Sequence, residues 1–67
     1  MDVDAMLKRE SQMMGRPCKY RNVWETVQSH NDQEVSVAIL VYEASEPLEL
    51  RYTVYVNGEQ SFSGIAQ

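Results

Sequence analysis

The sequence has few of the residues that small domains use for cross-links. Its 67 residues include one cysteine, Cys18, and one histidine, His30. A single cysteine cannot form an internal disulfide, which excludes a secreted disulfide scaffold and a zinc knuckle built on cysteines. No apolar run approaches the ~20 residues that span a bilayer, and residues 1–6 are acidic where a signal peptide is basic. These absences predict a cytoplasmic protein that does not bind a membrane.

Residues that support catalysis are also scarce. The three glycines are scattered, so the sequence has no glycine-rich phosphate-binding loop. His30 has no second metal ligand or nucleophile near it in sequence, and the glutamates around Pro47 match no cation-binding loop. Cations flank Cys18 and favour a thiolate, but an inert reduced cysteine is the simpler interpretation. We therefore predict that the protein is not an enzyme and uses no cofactor or metal.

Charge is distributed unevenly along the chain. The formal net charge is −4. Residues 1–21 hold five cations against three acids, a net charge of +2, whereas residues 22–67 hold one cation against seven acids, a net charge of −6. The acidic total disfavours a nucleic-acid binder with a basic surface all round. The two regions need not bind partners of the same charge.

The first segment has the pattern of a helix over residues 2–14. Asp2 is suited to the N-cap, and Gly15 followed by Pro17 is suited to end the helix. Apolar residues recur at helical spacing at Val3, Met6, Leu7 and then Met13 or Met14. Because this stripe is narrow and rich in methionine, we expect the helix to need a partner surface.

The second half of the chain has the pattern of three strands. Residues 35–42 alternate between two apolar faces, and residues 50–56 alternate between apolar and polar positions. Asn57 and Gly58 follow directly, and this pair between strand-forming segments favours a type I′ hairpin. Residues 59–65 are therefore predicted to return as the last strand.

Residues 19–28 allow two interpretations. Tyr20, Val23, Trp24 and Val27 fit a helical face, but the segment is rich in strand-forming residues and ends in a turn-like stretch. We favour a strand. The predicted fold is a single α+β domain over residues 1–67, with one helix and a four-stranded antiparallel meander in a β-rich region 19–65. The alternative is two short helices and three strands.

Strand parity predicts which residues share a face. A loop at residues 44–47 pairs Val41 with Leu50 and Ile39 with Tyr52. One face then contains Val35, Val37, Ile39, Val41, Leu50, Tyr52, Val54 and Val56. The turn at residues 57–58 pairs Thr53 with Phe62 and places Phe62 on the opposite face. That second face contains Leu40, Tyr42, Tyr55 and Phe62, with Trp24 nearby if residues 19–28 form a strand.

One short helix covers only one of these faces, which predicts an interface on the other. If the helix covers the Val/Ile face, Trp24, Leu40, Tyr42, Tyr55 and Phe62 form an exposed patch that binds protein. If it covers the aromatic face, the Val/Ile face is the interface. The first hypothesis is a regulator or inhibitor that docks on a larger protein through an acidic, aromatic-bearing sheet face. Self-association into a homodimer is predicted as well, because the domain is small.

The alternative hypothesis is a dimeric regulator that binds DNA or RNA. Its contacts are the cations of the first segment, Lys8, Arg9, Arg16, Lys19 and Arg21. Residues 15–21, Gly-Arg-Pro-Cys-Lys-Tyr-Arg, resemble the core of an AT-hook and the basic arm that precedes DNA-binding regions in some phage and plasmid proteins. The resemblance implies arginine in a minor groove and lysine on phosphates. Met14 stands where an AT-hook has its first arginine, and Cys18 interrupts the basic run.

A third hypothesis is a small-ligand pocket between the helix and the sheet, lined by methionine and tyrosine side chains.

Overall fold

The chain folds as one helix followed by four antiparallel strands. The structure is a computed structural model and describes residues 2–66. The elements are α1 (Val3–Met14), β1 (Cys18–His30), β2 (Gln33–Ala44), β3 (Glu49–Val56) and β4 (Glu59–Ile65). The strands form one open sheet in the order β1-β2-β3-β4. The predicted α+β meander is confirmed, and the alternative with a second helix at residues 19–28 is wrong.

Helix α1 begins and ends where its capping residues predict. The Asp2 side chain accepts a hydrogen bond from the Ala5 N–H at 3.2 Å, which satisfies a free donor of the first turn. Gly15 ends the helix in the left-handed conformation at φ 66°, and its N–H donates to the Ser11 carbonyl at 2.9 Å. Of the two candidate methionines, Met14 packs against the core and Met13 is exposed.

Two tight turns connect the outer strand pairs. Asn57 and Gly58 have φ values of 52° and 82°, as a type I′ turn requires, and the predicted hairpin is confirmed. Asn31 and Asp32 form a second two-residue connection, with φ values of 51° and 63°. Strands β1 and β2 are longer than the other two and pair with each other beyond the point where β3 ends. The molecule is consequently elongated, at 44 × 22 × 16 Å.

The pairing of β2 with β3 differs from the prediction by two residues. Val41 lies opposite Tyr52 and Ile39 lies opposite Val54. The predicted loop 44–47 is wrong because β2 continues through Ala44, which is buried on the helix side, so that the loop covers residues 45–48. Since the side-chain period of a strand is two, this shift leaves each residue on its predicted face.

The pairing of β3 with β4 contains a bulge that the sequence analysis did not anticipate. Tyr55 pairs with Gln60, but Val54 pairs with Phe62, so Ser61 is the extra residue. A shift of one residue moves every following side chain to the opposite face. The predicted pairing of Thr53 with Phe62 is therefore wrong, and Phe62 lies on the Val/Ile face.

Candidate docking face

The five side chains predicted to form an aromatic interface are divided between the two faces of the sheet. Leu40, Tyr42 and Tyr55 are buried, with at most 1% of their surface exposed. Trp24 and Phe62 lie on the other face and are 54% and 55% exposed. The expectation of one shared exposed face is wrong, because a bulge displaces Phe62 and because α1 covers the tyrosines.

The face beneath α1 contains the main core. Its buried apolar side chains are Met6 from the helix, Ala38, Leu40, Tyr42 and Ala44 from β2, and Tyr55 from β3. The surrounding side chains Val3, Leu7, Met14, Cys18 and Val23 are partly buried against this cluster. The structure therefore matches the alternative in which the helix covers the aromatic face.

A buried carboxylate, Glu10, connects the helix to the sheet. Its surface is only 3% exposed. The Tyr42 hydroxyl donates to Oε1 at 3.0 Å, and the Tyr55 hydroxyl donates to Oε2 at 3.1 Å. Sequence reasoning missed this residue, although a signal was present: Glu10 follows Leu7 by three positions and so lies in the apolar stripe. A carboxylate at a buried helix position requires donors from the facing element.

The environment of Glu10 keeps both tyrosine hydroxyls protonated. Burial raises the pKa of Tyr55 to about 12, and the neighbouring Glu10 carboxylate adds to this shift. Burial also raises the pKa of Tyr42, against the opposing effect of the Arg51 guanidinium. Both groups therefore act as hydrogen-bond donors at neutral pH, and the cluster holds the helix on the sheet.

The opposite face, which we call the open face, has an aliphatic centre that α1 does not cover. The pairing register assigns to it Trp24, Thr26, Val35, Val37, Ile39, Val41, Leu50, Tyr52, Val54, Val56, Phe62 and Gly64. Val54 at the centre is buried by its neighbours, but the other apolar side chains on this face are half-buried or exposed. The open face thus presents a continuous apolar surface.

Aromatic side chains lie at both edges of the open face. One row across the four strands consists of Trp24, Ile39, Val54 and Phe62. Phe62 packs edge-to-face against Tyr52, with ring centroids 6.2 Å apart and planes at 83°. The Tyr52 ring also lies over Gly64, where an added Cβ would come within 3.2 Å of it. Because Gly64 has no side chain, the Tyr52 ring can pack against the backbone at this position.

The charges on the open face lie at its rim and balance. Lys19 lies opposite Glu43 in the register, Arg21 forms an ion pair with Glu43, and Glu59 lies at the other end beside Val56. Two cations and two acids leave this face without net charge. The net charge of −4 therefore belongs to the helix side and the loops. Acidity and exposed aromatic rings, which were expected on one face, are separated.

Arg16, predicted as a nucleic-acid contact, fastens the end of α1 to the β2–β3 loop. Its Nε donates to the Ser45 carbonyl at 2.8 Å, and another guanidinium nitrogen pairs with Glu49 Oε1 at 2.6 Å. It also donates to the Pro47 carbonyl. The hydrogen bond from Arg16 lowers the pKa of Glu49. This guanidinium is engaged within the fold rather than presented to a phosphate.

The other four predicted cations lie in separate places. Lys8 and Arg9 are on α1, and the Arg9 guanidinium lies 5.9 Å from the centroid of the Tyr55 ring. Lys19 and Arg21 are on β1, at the rim of the open face. The structure therefore does not bring the predicted nucleic-acid contacts together into one basic surface.

The two candidate reactive side chains are in ordinary environments. Burial, followed by the charge of Glu10, raises the pKa of Cys18, so the flanking cations do not make it a thiolate. Its Sγ lies 3.5 Å from the Arg16 carbonyl oxygen. His30 is exposed at the end of β1. Among residues 2–66, no three His, Cys, Asp or Glu side chains converge on a point that would hold a metal ion.

A small cavity lies where the start of α1 meets the β3–β4 turn. Its volume is about 180 Å³, and it is lined by Asp2, Ala5, Met6, Arg9, Tyr55 and Gly58. It contains one methionine and one tyrosine, as the ligand-pocket hypothesis expects. Typical small-molecule sites have volumes of roughly 300–1,000 Å³, so this cavity gives that hypothesis little support.

Comparisons with known proteins add no functional information. No family model, curated protein or solved structure matches the chain. In the described part of the chain, residues 2–66, no helix is both long enough and apolar enough to cross a membrane. The open face is the feature on which a functional argument rests.

Proposed function

We propose that this protein is a non-enzymatic binding protein of the cytoplasm, a regulator or inhibitor whose open face docks on another protein chain. One observation carries the proposal: Trp24 and Phe62, both more than half exposed, flank an aliphatic sheet face that the helix does not cover. Contiguous apolar patches on small domains mark interaction sites. Aromatic residues are also enriched in the buried centres of protein interfaces.

The chemistry of the open face describes the partner surface. Its centre offers aliphatic side chains, Trp24 and Phe62 lie at its edges, and its ionised groups are at the rim, where Arg21 already pairs with Glu43. Binding free energy would come from removing apolar surface from water, at about 25 cal/mol per Å². We therefore propose an apolar partner surface with a polar edge, and not a basic nucleic-acid-binding site.

A matched pair of variants on one strand tests the proposal. Trp24 lies on the open face, whereas Val27, 65% exposed, lies opposite Ser36 on the other face. Trp24→Lys and Val27→Lys each place a lysine at an exposed position of β1. Wild-type and variant chains are immobilised on a solid support and exposed to extracts of the native cell. The retained proteins are then quantified by mass spectrometry. We expect a partner that wild type and Val27→Lys retain and that Trp24→Lys loses; equal retention by all three chains contradicts docking through the open face.

A further inference from the structure

Resting on the proposed function, we infer that the occupant of the open face is a second copy of this chain, packed open face to open face in a homodimer. A second copy fits the small covered core, the balanced charge of the open face and the size of that face.

The covered core is small for a domain without cross-links. Among residues 2–66, the buried apolar side chains are Met6, Ala38, Leu40, Tyr42, Ala44, Val54 and Tyr55, and two of these are alanines. Cys18 is free. Below roughly 70–80 residues, a single core rarely supplies more than about 3–5 kcal/mol, and oligomerisation is a usual remedy. A second copy would turn the half-buried side chains around Val54 into a second core, and it is present wherever the chain is made.

The charge of the open face suits a second copy. Two chains of net charge −4 repel each other through most of their surfaces. At the open face, Lys19 and Arg21 offset Glu43 and Glu59, so two copies approach without a net like charge. A strongly basic partner would gain no attraction there. The uncharged face therefore favours a partner that is itself uncharged at the contact, as a second open face is.

The open face is comparable in size to a standard interface. The molecule is 44 Å long and 22 or 16 Å across, so a face that runs its whole length covers at most about 700–970 Å². A standard interface buries roughly 800 Å² on each partner. Two sheets pack face to face about 10 Å apart with their side chains interdigitated, and a two-fold axis makes the contact self-complementary.

The experiment measures mass and tryptophan environment on the same samples. Light scattering of the wild-type chain should give about twice 7.7 kDa at high micromolar concentration. Trp24 is the only tryptophan, so its emission should be blue-shifted in the dimer and should move to longer wavelength on dilution. Trp24→Lys and Phe62→Lys should give the monomer mass, whereas Val27→Lys should keep the dimer mass. Far-UV circular dichroism checks that all four chains fold alike.

The outcomes separate this inference from the proposed function. A wild-type monomer at high micromolar concentration overturns the homodimer; if Trp24→Lys still loses a captured partner, docking stands with a foreign protein as occupant. A dimer that persists in both Trp24→Lys and Phe62→Lys uses another surface, which also overturns the inference. If neither mass nor capture responds to these variants, both proposals are wrong.

Discussion

The two faces of the sheet come from the same strands but differ in what they require of a cover. On the covered face, Tyr42 and Tyr55 carry hydroxyl groups that need an acceptor once buried, and α1 supplies one in Glu10. On the open face, the centre of β2 carries only aliphatic side chains, which need no hydrogen-bond partner. Hydrogen bonding as well as apolar packing therefore distinguishes the face that the single helix covers.

The two faces therefore differ in how closely the sequence specifies the surface that covers them. The cover of the first face is specified within the chain, because Glu10 is the acidic residue of α1 that lies in its apolar stripe, whereas Asp4 is exposed. The open face sets no such requirement, because the centre of β2 carries only aliphatic side chains there. Variants that distinguish the faces therefore test both the fold and the proposed function.

The largest effect is expected from truncating adjacent residues of β2 that point in opposite directions. Leu40 is fully buried beneath α1, whereas Ile39 lies on the open face. Leu40→Ala should lower the free energy of unfolding by about 3 kcal/mol at every protein concentration, because it leaves a cavity. Ile39→Ala should cost less in dilute samples and more as concentration rises and the proposed dimer forms. Urea unfolding at several protein concentrations measures both; equal, concentration-independent losses would show that the two faces are equivalent.

A smaller effect is expected from raising the pH, and it acts on the covered face. The pKa of Tyr55 is about 12 in the folded chain, against about 10 in an unfolded one. The folded state therefore holds this proton more tightly, so the stabilisation is complete below pH 10 and is lost as the pH rises through 12. The raised pKa of Tyr42 acts in the same direction. The expected loss is on the order of 2 kcal/mol.

Urea unfolding between pH 8 and pH 12 measures this loss, and tyrosinate absorbance reports the titration directly. Tyr55→Phe removes one hydroxyl and should make the decline shallower. The same decline in wild type and variant would mean that other groups cause it.

Local features of the fold could be predicted because local chemistry decides them. Asp2 and Gly15 set the limits of α1 through their capping geometry. Asn57 and Gly58 set the last hairpin because both accept positive φ angles. The alternation along β2 divides its side chains between two faces whatever the register, which explains why a pairing error of two residues left those faces unchanged.

The bulges could not be predicted, because pairing between strands determines them. A bulge after Tyr20 puts Tyr20 and Val23 on the same face although they are three residues apart. This spacing imitates a helix and made the segment ambiguous. The bulge at Ser61 likewise moves Phe62 to the open face. The predicted aromatic interface is wrong for two reasons. This bulge moves Phe62 away from the tyrosines, and Tyr42 and Tyr55 are buried where they donate hydrogen bonds to Glu10.

The β3–β4 turn gives a moderate effect and tests the placement of Phe62. Gly58 has φ 82°, and no atom lies within 4 Å of where its Cβ would be, so a substitution meets backbone strain and no clash. Gly58→Val should lower the free energy of unfolding by at least about 1 kcal/mol, because β-branched residues avoid this conformation. Gly58→Asn, which tolerates positive φ, should cost less. Urea unfolding compares the two, and a Gly58→Val chain as stable as wild type would count against the turn and against the bulge register that depends on it.

The smallest effects are expected from the cations, and they separate the docking proposal from the nucleic-acid alternative. Arg16 fastens the helix side through the Ser45 carbonyl and Glu49, so Arg16→Ala should lower the free energy of unfolding by about 0.5–1 kcal/mol. Lys19 is exposed at the rim of the open face, so Lys19→Ala should stay within about 0.5 kcal/mol of wild type.

If both residues bound phosphate instead, each substitution would weaken binding and reduce its salt dependence, whatever its effect on stability. Urea unfolding and electrophoretic mobility at low salt together distinguish the docking proposal from the nucleic-acid alternative. We expect a loss of stability for Arg16→Ala alone, and no shift of DNA or RNA by wild type or either variant. A wild-type shift that both variants weaken would instead assign these side chains to nucleic acid, and the balanced rim of the open face would then have to be explained as part of that surface.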